Sequence, residues 1–129
     1  LPLALELDKW ARRSGRQQDC LVQVNVSGEP NKSGVAPNEL LPLLREVAAL
    51  PGIRVLGLMT MAPVAPDPEM VRPVFRRLRE LAAEVQAEQL PGVRMDYLSM
   101  GMSDDFRVAV EEGATHVRIG RALFGPRLL

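Results

Sequence analysis

Two short stretches hold the residue types best suited to bind a ligand, "LSMGMSDDF" at 98–106 and "VRIGRALFG" at 117–125. In the first, an apolar run ends in a Gly-Met-Ser turn that is followed by two carboxylates. A hydroxyl beside the free N–H groups of a helix start binds anions. A capped helix without a ligand explains the same turn, because Ser103 is a good N-cap and because Asp104 and Asp105 suit the helix dipole. This stretch alone leaves both interpretations open.

The second stretch places a cation, Arg118, inside an apolar strand between Val117 and Ile119. Side chains alternate along a strand, so the arginine lies on the face opposite to its neighbours. An isolated buried charge is costly, and a buried arginine therefore needs a partner. Two kinds of partner stay open: an internal carboxylate, Asp96 or Glu112, or an anionic or heteroaromatic ligand.

Gly120 follows this arginine by two residues, and a glycine lets a ligand approach the backbone closely. Together with the Gly-Met-Ser turn it is compatible with a phosphate cradle, without requiring one. Phosphate sites after the last strands are frequent in (β/α)₈ barrels.

Other chemistries receive little support from the sequence. His116 is the sole histidine, and its position in a strand favours a structural role over a Ser-His-Asp triad. No His/Cys/Asp cluster has the spacing of metal ligands, and "GEPNKSG" at 28–34 lacks the spacing of a P-loop. Four methionines near strand ends predict core packing or a wall against a flat ring: Met59, Met61, Met100 and Met102.

The composition is that of an ordinary globular domain, with 47% hydrophobic and 25% charged residues in 129. Sixteen basic and sixteen acidic residues cancel, which argues against a broad nucleic-acid or membrane surface. The single cysteine, Cys20, predicts a free thiol in the reducing cytoplasm. No apolar run approaches a membrane span, and the first residues lack the basic region of a signal peptide.

Apolar periodicity predicts four helices that alternate with four strands. Pro42 and Pro73 must lie in the first turn of their helices, since an internal proline removes a hydrogen bond. The predicted helices are a leading one with Leu3, Leu7, Trp10 and Ala11 that stops at Ser14-Gly15, one with Leu40, Leu41, Leu44, Val47 and Ala48, one over 69–88 and one over 103–112. The predicted strands are 20–26, 53–61, 93–101 and 115–120.

Strands separated by helical crossovers are parallel, so their carboxyl ends meet at one edge of the sheet. In α/β proteins this edge is where ligands bind. The Gly-Met-Ser turn and Arg118 are therefore expected on adjacent strand ends. With phosphate between them, Asp104 and Asp105 are expected to face away from the cradle as dipole and cap residues.

Three segments, "VQVNVSGEPNKSG", "GLMTMAP" and "LSMGMSDDFRVAVEEGATHVRIGRALFG", resemble in order and spacing the pyridoxal phosphate homeostasis protein family. Members are non-catalytic carriers of pyridoxal 5′-phosphate (PLP) related to the N-terminal barrel of alanine racemase. The resemblance covers about residues 20–129. It implies a (β/α)₈ barrel that holds PLP at its C-terminal mouth through a Schiff base to a lysine on the first strand.

The resemblance also assigns roles to individual residues. Ser103, with the backbone around Met102, contacts the PLP phosphate, and Gly120 with the following N–H forms the other half of the cradle. Arg118 reaches the cofactor at its ring nitrogen or its phosphate. A cation beside the ring nitrogen disfavours its protonation and weakens PLP as an electron sink, which a carrier tolerates better than a transaminase does. Arg121 stands where the family usually has a small hydroxyl residue, so one phosphate bond is lost or replaced by a charge.

The family lysine has no counterpart, because Lys9 lies on the leading helix and Lys32 in a loop. The expected architecture is thus α/β, the C-terminal half of a PLP-binding TIM barrel over 1–129 as a single partial domain. Half a barrel leaves open edges at strands 20–26 and 115–119, which predicts either a fragment or association of two copies.

The leading hypothesis is non-catalytic PLP binding and homeostasis in the cytoplasm, with PLP-dependent enzymes as clients and neither nucleic acid nor membrane as partner. The alternatives are the barrel of a PLP-dependent racemase or decarboxylase, or a phosphate-binding interaction module. Such enzymes carry a second β-domain after the barrel. The sequence ends soon after the last predicted strand, and this favours the carrier.

Overall fold

A computed structural model describes residues 1–30 and 33–125, so Lys32 lies outside the described residues. From α1 to α4, helices and strands alternate along the chain as the periodicity predicts. The elements are α1 (Pro2–Arg13), β1 (Gln18–Gln23), α2 (Leu40–Ala48), β2 (Ile53–Met59), α3 (Arg72–Ala87), β3 (Val93–Ser99), α4 (Phe106–Glu111) and α5 (Arg121–Phe124). The α/β class is therefore confirmed.

The strands form a parallel sheet in the order β1-β2-β3. The register shifts once in each pair, between Cys20 and Leu21 in the first and between Val55 and Gly57 in the second. The second shift brings two backbones together, since a Cβ on Gly57 would lie 1.9 Å from the carbonyl oxygen of Tyr97. Only glycine fits at this point of the sheet.

The predicted fourth strand is wrong in extent, because residues 115–120 make one parallel bridge, His116 with Ser99, instead of a ladder. Thr115 interrupts the regular pattern: its Oγ1 accepts the N–H of Leu98 at 2.8 Å, while the N–H groups of Thr115 and His116 both donate to the carbonyl of Leu98. The segment still reaches the cleft edge, since the N–H of Arg118 donates to the carbonyl of Gly101 at 2.8 Å.

Helix ends differ from the predictions in two places. The predicted helix 69–88 begins as a 3₁₀ turn, Pro68–Val71, in which the Asp67 carboxylate accepts the N–H of Glu69 at 3.0 Å. The predicted helix 103–112 is α4 alone, three residues shorter at its start. Pro42 and Pro73 lie in the first turns of α2 and α3, as predicted.

The hydrophobic core lies between the sheet and the helices. Phe75 and Leu78 of α3, Leu44 of α2 and Leu58 of β2 are fully buried. Each such side chain contributes about 1.5–3 kcal/mol. In the described residues, no helix is long and apolar enough to cross a membrane.

Strand side chains that alternate with the buried ones remain open to solvent. Leu21 and Tyr97 are 40% and 39% exposed, and Asp19 pairs with Arg54 across β1 and β2 at 2.8 Å. This charged pair lowers the pKa of Asp19. The sheet is thus covered on one side in the part that the structure describes.

Candidate functional site

A cleft of about 610 Å³ opens at the carboxyl ends of the strands. Its walls come from three segments: the loop after β2 at 62–71, the turn after β3 at 102–105, and residues 118–125. This is the edge at which parallel sheets bind ligands. All five predicted site residues, namely Met102, Ser103, Arg118, Gly120 and Arg121, line this cleft.

Ser103 joins the two predicted stretches through its hydroxyl. Its Oγ accepts the N–H of Gly120 at 3.3 Å and that of Ala122 at 2.9 Å. The prediction that Ser103 caps α4 is wrong, because its hydroxyl faces the start of α5 instead. Asp105 precedes α4, and its carboxylate accepts the N–H of Met102 at 2.7 Å.

The turn between β3 and α4 requires a glycine at its first position. Gly101 has φ of 104°, and a Cβ there would lie 2.7 Å from the Cβ of Ala109. A side chain would therefore force the turn away from α4. Gly101 fixes the position from which Met102 and Ser103 reach the cleft.

Arg118 is half-buried at the base of the cleft, where its Nη2 donates to the carbonyl of Thr60 at 2.8 Å. Its Nε is buried and has no partner among the described residues. Burial lowers the pKa of Arg118, and the nearby Asp105 carboxylate opposes that change. An arginine that keeps one N–H unsatisfied at a cleft is suited to a polar or anionic ligand.

The alternative of an internal carboxylate partner for Arg118 is wrong in the described structure. Asp96 pairs with Arg94 at 3.1 Å, and Glu112 is bound by arginines of α3. The ligand interpretation of Arg118 therefore gains support.

Thr60 is a site residue that the sequence analysis missed. It is fully buried, its Oγ1 donates to the carbonyl of Val24 at 2.7 Å, and its N–H donates to the carbonyl of Ser99. These bonds hold the ends of three strands together and orient the carbonyl that Arg118 contacts. A lone threonine at the end of the apolar run "GLMTM" was the available signal.

Gly120 borders open space. Its φ of −114° is accessible to any residue, and a Cβ there would meet no atom within 4 Å. Neither the backbone conformation nor the packing requires a glycine at position 120. Its missing side chain instead leaves room in the cleft.

Arg121 and Asp104 form an ion pair across the cleft rim, between the start of α5 and the turn after β3. Their side chains are 61% and 49% exposed. Asp104 and Asp105 both line the cleft, so the expectation that they face away from it is wrong. The cause is the shorter α4, which leaves both aspartates in the turn.

His116 lies beside the sheet, outside the residues that line the cleft. Its Nδ1 is 2.9 Å from Thr115 Oγ1. Its ring packs edge to face against Tyr97, with 4.9 Å between the ring centroids. These contacts agree with the structural role that the sequence favours for His116.

The family model of the alanine racemase N-terminal domain matches residues 2–127. The chain belongs to this family.

Relatives in the alanine racemase N-terminal family include two named pyridoxal phosphate homeostasis protein. One, from Aquifex aeolicus, is 53% identical over 97% of this chain and 54% of its own length. Another, from Pseudomonas aeruginosa, is 48% identical over 84% of this chain and 44% of its own length. The resemblance to this group is thus confirmed, and the chain spans about half the length of these relatives.

Solved structures of the family agree with the fold. PipY of Synechococcus elongatus with PLP bound has a TM-score of 0.83 and 38% identity, covering 96% of this chain and 57% of that chain. An alanine racemase of Clostridium difficile shares only 18% identity over 99% of this chain and 35% of its own, and its TM-score of 0.75 supports the fold alone. The predicted relation to PLP-binding barrels is confirmed.

Proposed function

We propose that this chain forms the phosphate-binding part of a non-catalytic PLP carrier that serves PLP homeostasis. The observation that carries the proposal is the half-buried Arg118, whose Nε has no partner among the described residues, beside an open cleft. PLP-bound PipY, which is 38% identical, supports PLP as the ligand.

The cleft residues fit the chemistry of PLP. A phosphate accepts hydrogen bonds from a hydroxyl and from backbone N–H groups, which Ser103 and the backbone after Gly120 supply. The backbone turn at Met102 would shape this cradle while its own N–H is bound by Asp105, and Arg121 adds a charge at the rim. Arg118 would contact the ring nitrogen or the phosphate. When bound, PLP supplies an aldehyde that reacts with amines.

We further propose that residues 1–129 are one partial barrel domain comprising the last four β/α units, and that the lysine implied by the resemblance lies outside this chain. Relatives named pyridoxal phosphate homeostasis protein, 53% and 48% identical, are the reason for proposing a carrier and not an enzyme. Where Arg118 contacts the ring nitrogen, its charge would disfavour protonation of that nitrogen, which a carrier tolerates better than a transaminase does. A carrier of this kind would act in the cytoplasm and deliver PLP to dependent enzymes. Open strand edges would let the chain self-associate.

A graded substitution at Gly120 tests the proposed site. Because a Cβ at this position meets no atom within 4 Å, Gly120→Ala and Gly120→Leu should fold normally while they fill the cleft. PLP binding, followed by quenching of Trp10 fluorescence or by calorimetry, should weaken slightly in the first variant and be lost in the second. Circular dichroism checks that both variants are folded.

Two ligands separate the proposed carrier from its alternatives. Pyridoxal, which lacks the phosphate, should bind much more weakly than PLP if the cradle holds the phosphate. Equal binding of PLP by Gly120→Leu and by the unmodified chain would contradict the site. Racemisation of alanine or decarboxylation of an amino acid by the PLP-loaded chain would contradict the carrier and favour an enzyme.

A further inference from the structure

We propose that Asp104 is a built-in competitor of phosphate for Arg121, and that this ion pair sets how tightly the cleft holds a phosphorylated ligand. The inference rests on the proposed function, because it concerns the same cleft. It adds a role for a carboxylate that the binding scheme leaves unused.

The geometry places Asp104 where it opposes a bound anion. Its carboxylate pairs with Arg121 across the rim, and both residues line the cleft. The pair is bound through Arg121 Nη2 to Asp104 Oδ2. With this contact made, the positive charge of Arg121 is neutralised before any ligand arrives.

The pair is weak enough to exchange. Both side chains are about half exposed or more, and ion pairs in that setting contribute little because water screens them and because the side chains lose freedom. A phosphate dianion offers Arg121 more charge and more acceptor oxygens than one carboxylate does. Arg121 is therefore able to leave Asp104 for a phosphate.

Ser103, the neighbour of Asp104, also accepts hydrogen bonds from donors at the start of α5. Its Oγ accepts the N–H groups of Gly120 and Ala122, which are donors of the type a phosphate oxygen requires. One turn thus presents a hydroxyl and a carboxylate to the donors of the cleft. Once phosphate binds, the hydroxyl remains compatible with it, whereas the carboxylate becomes a like charge beside it.

The consequence is a cleft whose affinity is held below what its donors permit. Like charges a few ångströms apart near a protein surface repel by an amount that corresponds to a several-fold change in affinity. A protein that must release its ligand again is served by such a residue. Asp104 is a residue that sets affinity, and it is the group whose removal should strengthen binding.

The test compares four forms of the chain by calorimetric titration with inorganic phosphate and with PLP: unmodified, Asp104→Asn, Arg121→Ser and the double variant. We expect Asp104→Asn to bind both ligands about 3- to 10-fold more tightly. In the Arg121→Ser background the same change should have a smaller effect, because part of the gain comes from freeing Arg121.

Asp96→Asn is the matched control. It makes the same chemical change and the same change in net charge, also at an aspartate paired with an arginine, but outside the cleft. Phosphate affinity should be unchanged in this variant. An equal gain in Asp96→Asn, or no gain in Asp104→Asn, overturns the competitor role.

Failure of this inference is distinguishable from failure of the proposed function. If PLP binds and Gly120→Leu abolishes binding, but Asp104→Asn gives no gain, only the competitor role falls. If neither phosphate nor PLP binds to any of the four forms, both the carrier function and the competitor role fall.

Discussion

Two charged side chains that follow α4 in the chain, Glu112 and Arg118, differ in how many hydrogen-bond partners surround them. The Glu112 side chain is 7% exposed and is bound by three arginines of α3: Arg72 at 2.8 Å, Arg79 at 3.2 Å and Arg76 at 3.3 Å. Arg118 has one side-chain bond, to a backbone carbonyl, and its buried Nε has no partner in the described part of the chain.

The difference separates a charge that holds the fold together from one that is available to a ligand. Removing one partner from a matched buried group leaves the others unsatisfied, so such a group resists change. Glu112 therefore fixes α4 against α3. Arg118 retains unused hydrogen-bonding capacity, and it lies at the cleft.

The largest expected effect comes from Arg118→Met. Loss of a hydrogen bond to a charged group should weaken PLP binding about 10- to 100-fold, as calorimetry would measure. The urea midpoint should change little, because loss of the Nη2 bond to the Thr60 carbonyl is offset by removal of a buried N–H that has no protein partner. Arg94→Met, which removes an exposed arginine outside the cleft, should change neither property. A lower midpoint for Arg118→Met would mean that Arg118 is structural.

Glu112→Gln should produce the opposite result. Because the amide is neutral and provides only one acceptor oxygen, the contacts to three arginines weaken and the urea midpoint falls. The PLP affinity of the folded protein should be kept, since Glu112 lies outside the cleft. Glu111→Gln is the matched control, because Glu111 is 61% exposed and, among the residues that the structure describes, is bound by Arg72 alone at 3.0 Å. An equally large fall in the urea midpoint of Glu111→Gln would contradict the claim that the contacts of Glu112 to three arginines stabilise the fold.

The α/β class and the position of the cleft at the strand ends were predictable from the sequence, because both follow from the apolar periodicity. Alternating helices and strands determine where strand ends meet, and this brings 102–105 beside 118–121. Arg118 was recognised as a cation in an apolar run, and the structure places it half-buried at the cleft although that run does not form a strand ladder. Gly120 was recognised for the space that it leaves.

The errors arose where a local rule competed with a tertiary contact. Ser103 looks like a helix cap, but its hydroxyl binds N–H groups 17 and 19 residues further along the chain. Glu112 was considered as a partner for Arg118, but three arginines spaced along one face of α3 bind it instead. Which helix face meets which carboxylate depends on packing, and one-dimensional spacing does not determine it.

Acid titration gives the smallest and most specific difference between the two groups. Hydrogen bonds from Arg72 and Arg76 hold the pKa of Glu112 below its ordinary value of 4.5. A carboxylate with a lowered folded-state pKa stabilises the protein above the unfolded value and loses that contribution as the pH falls through the folded value. The urea midpoint of the unmodified chain should therefore exceed that of Glu112→Gln at pH 7. This gap should narrow below about pH 4.5 and close as the pH falls through the lower folded-state pKa of Glu112.

The difference in urea midpoint between the unmodified chain and Glu112→Gln reports the titration of Glu112. Glu69 also has a lowered pKa because it binds Arg72, but it is present in both proteins and largely cancels in the difference. Arg118→Met provides the contrast: its midpoint relative to the unmodified chain should stay constant from pH 7 to pH 4, since an arginine remains protonated throughout. A gap between Glu112→Gln and the unmodified chain that persists at low pH would show that packing, and not charge, makes Glu112 matter.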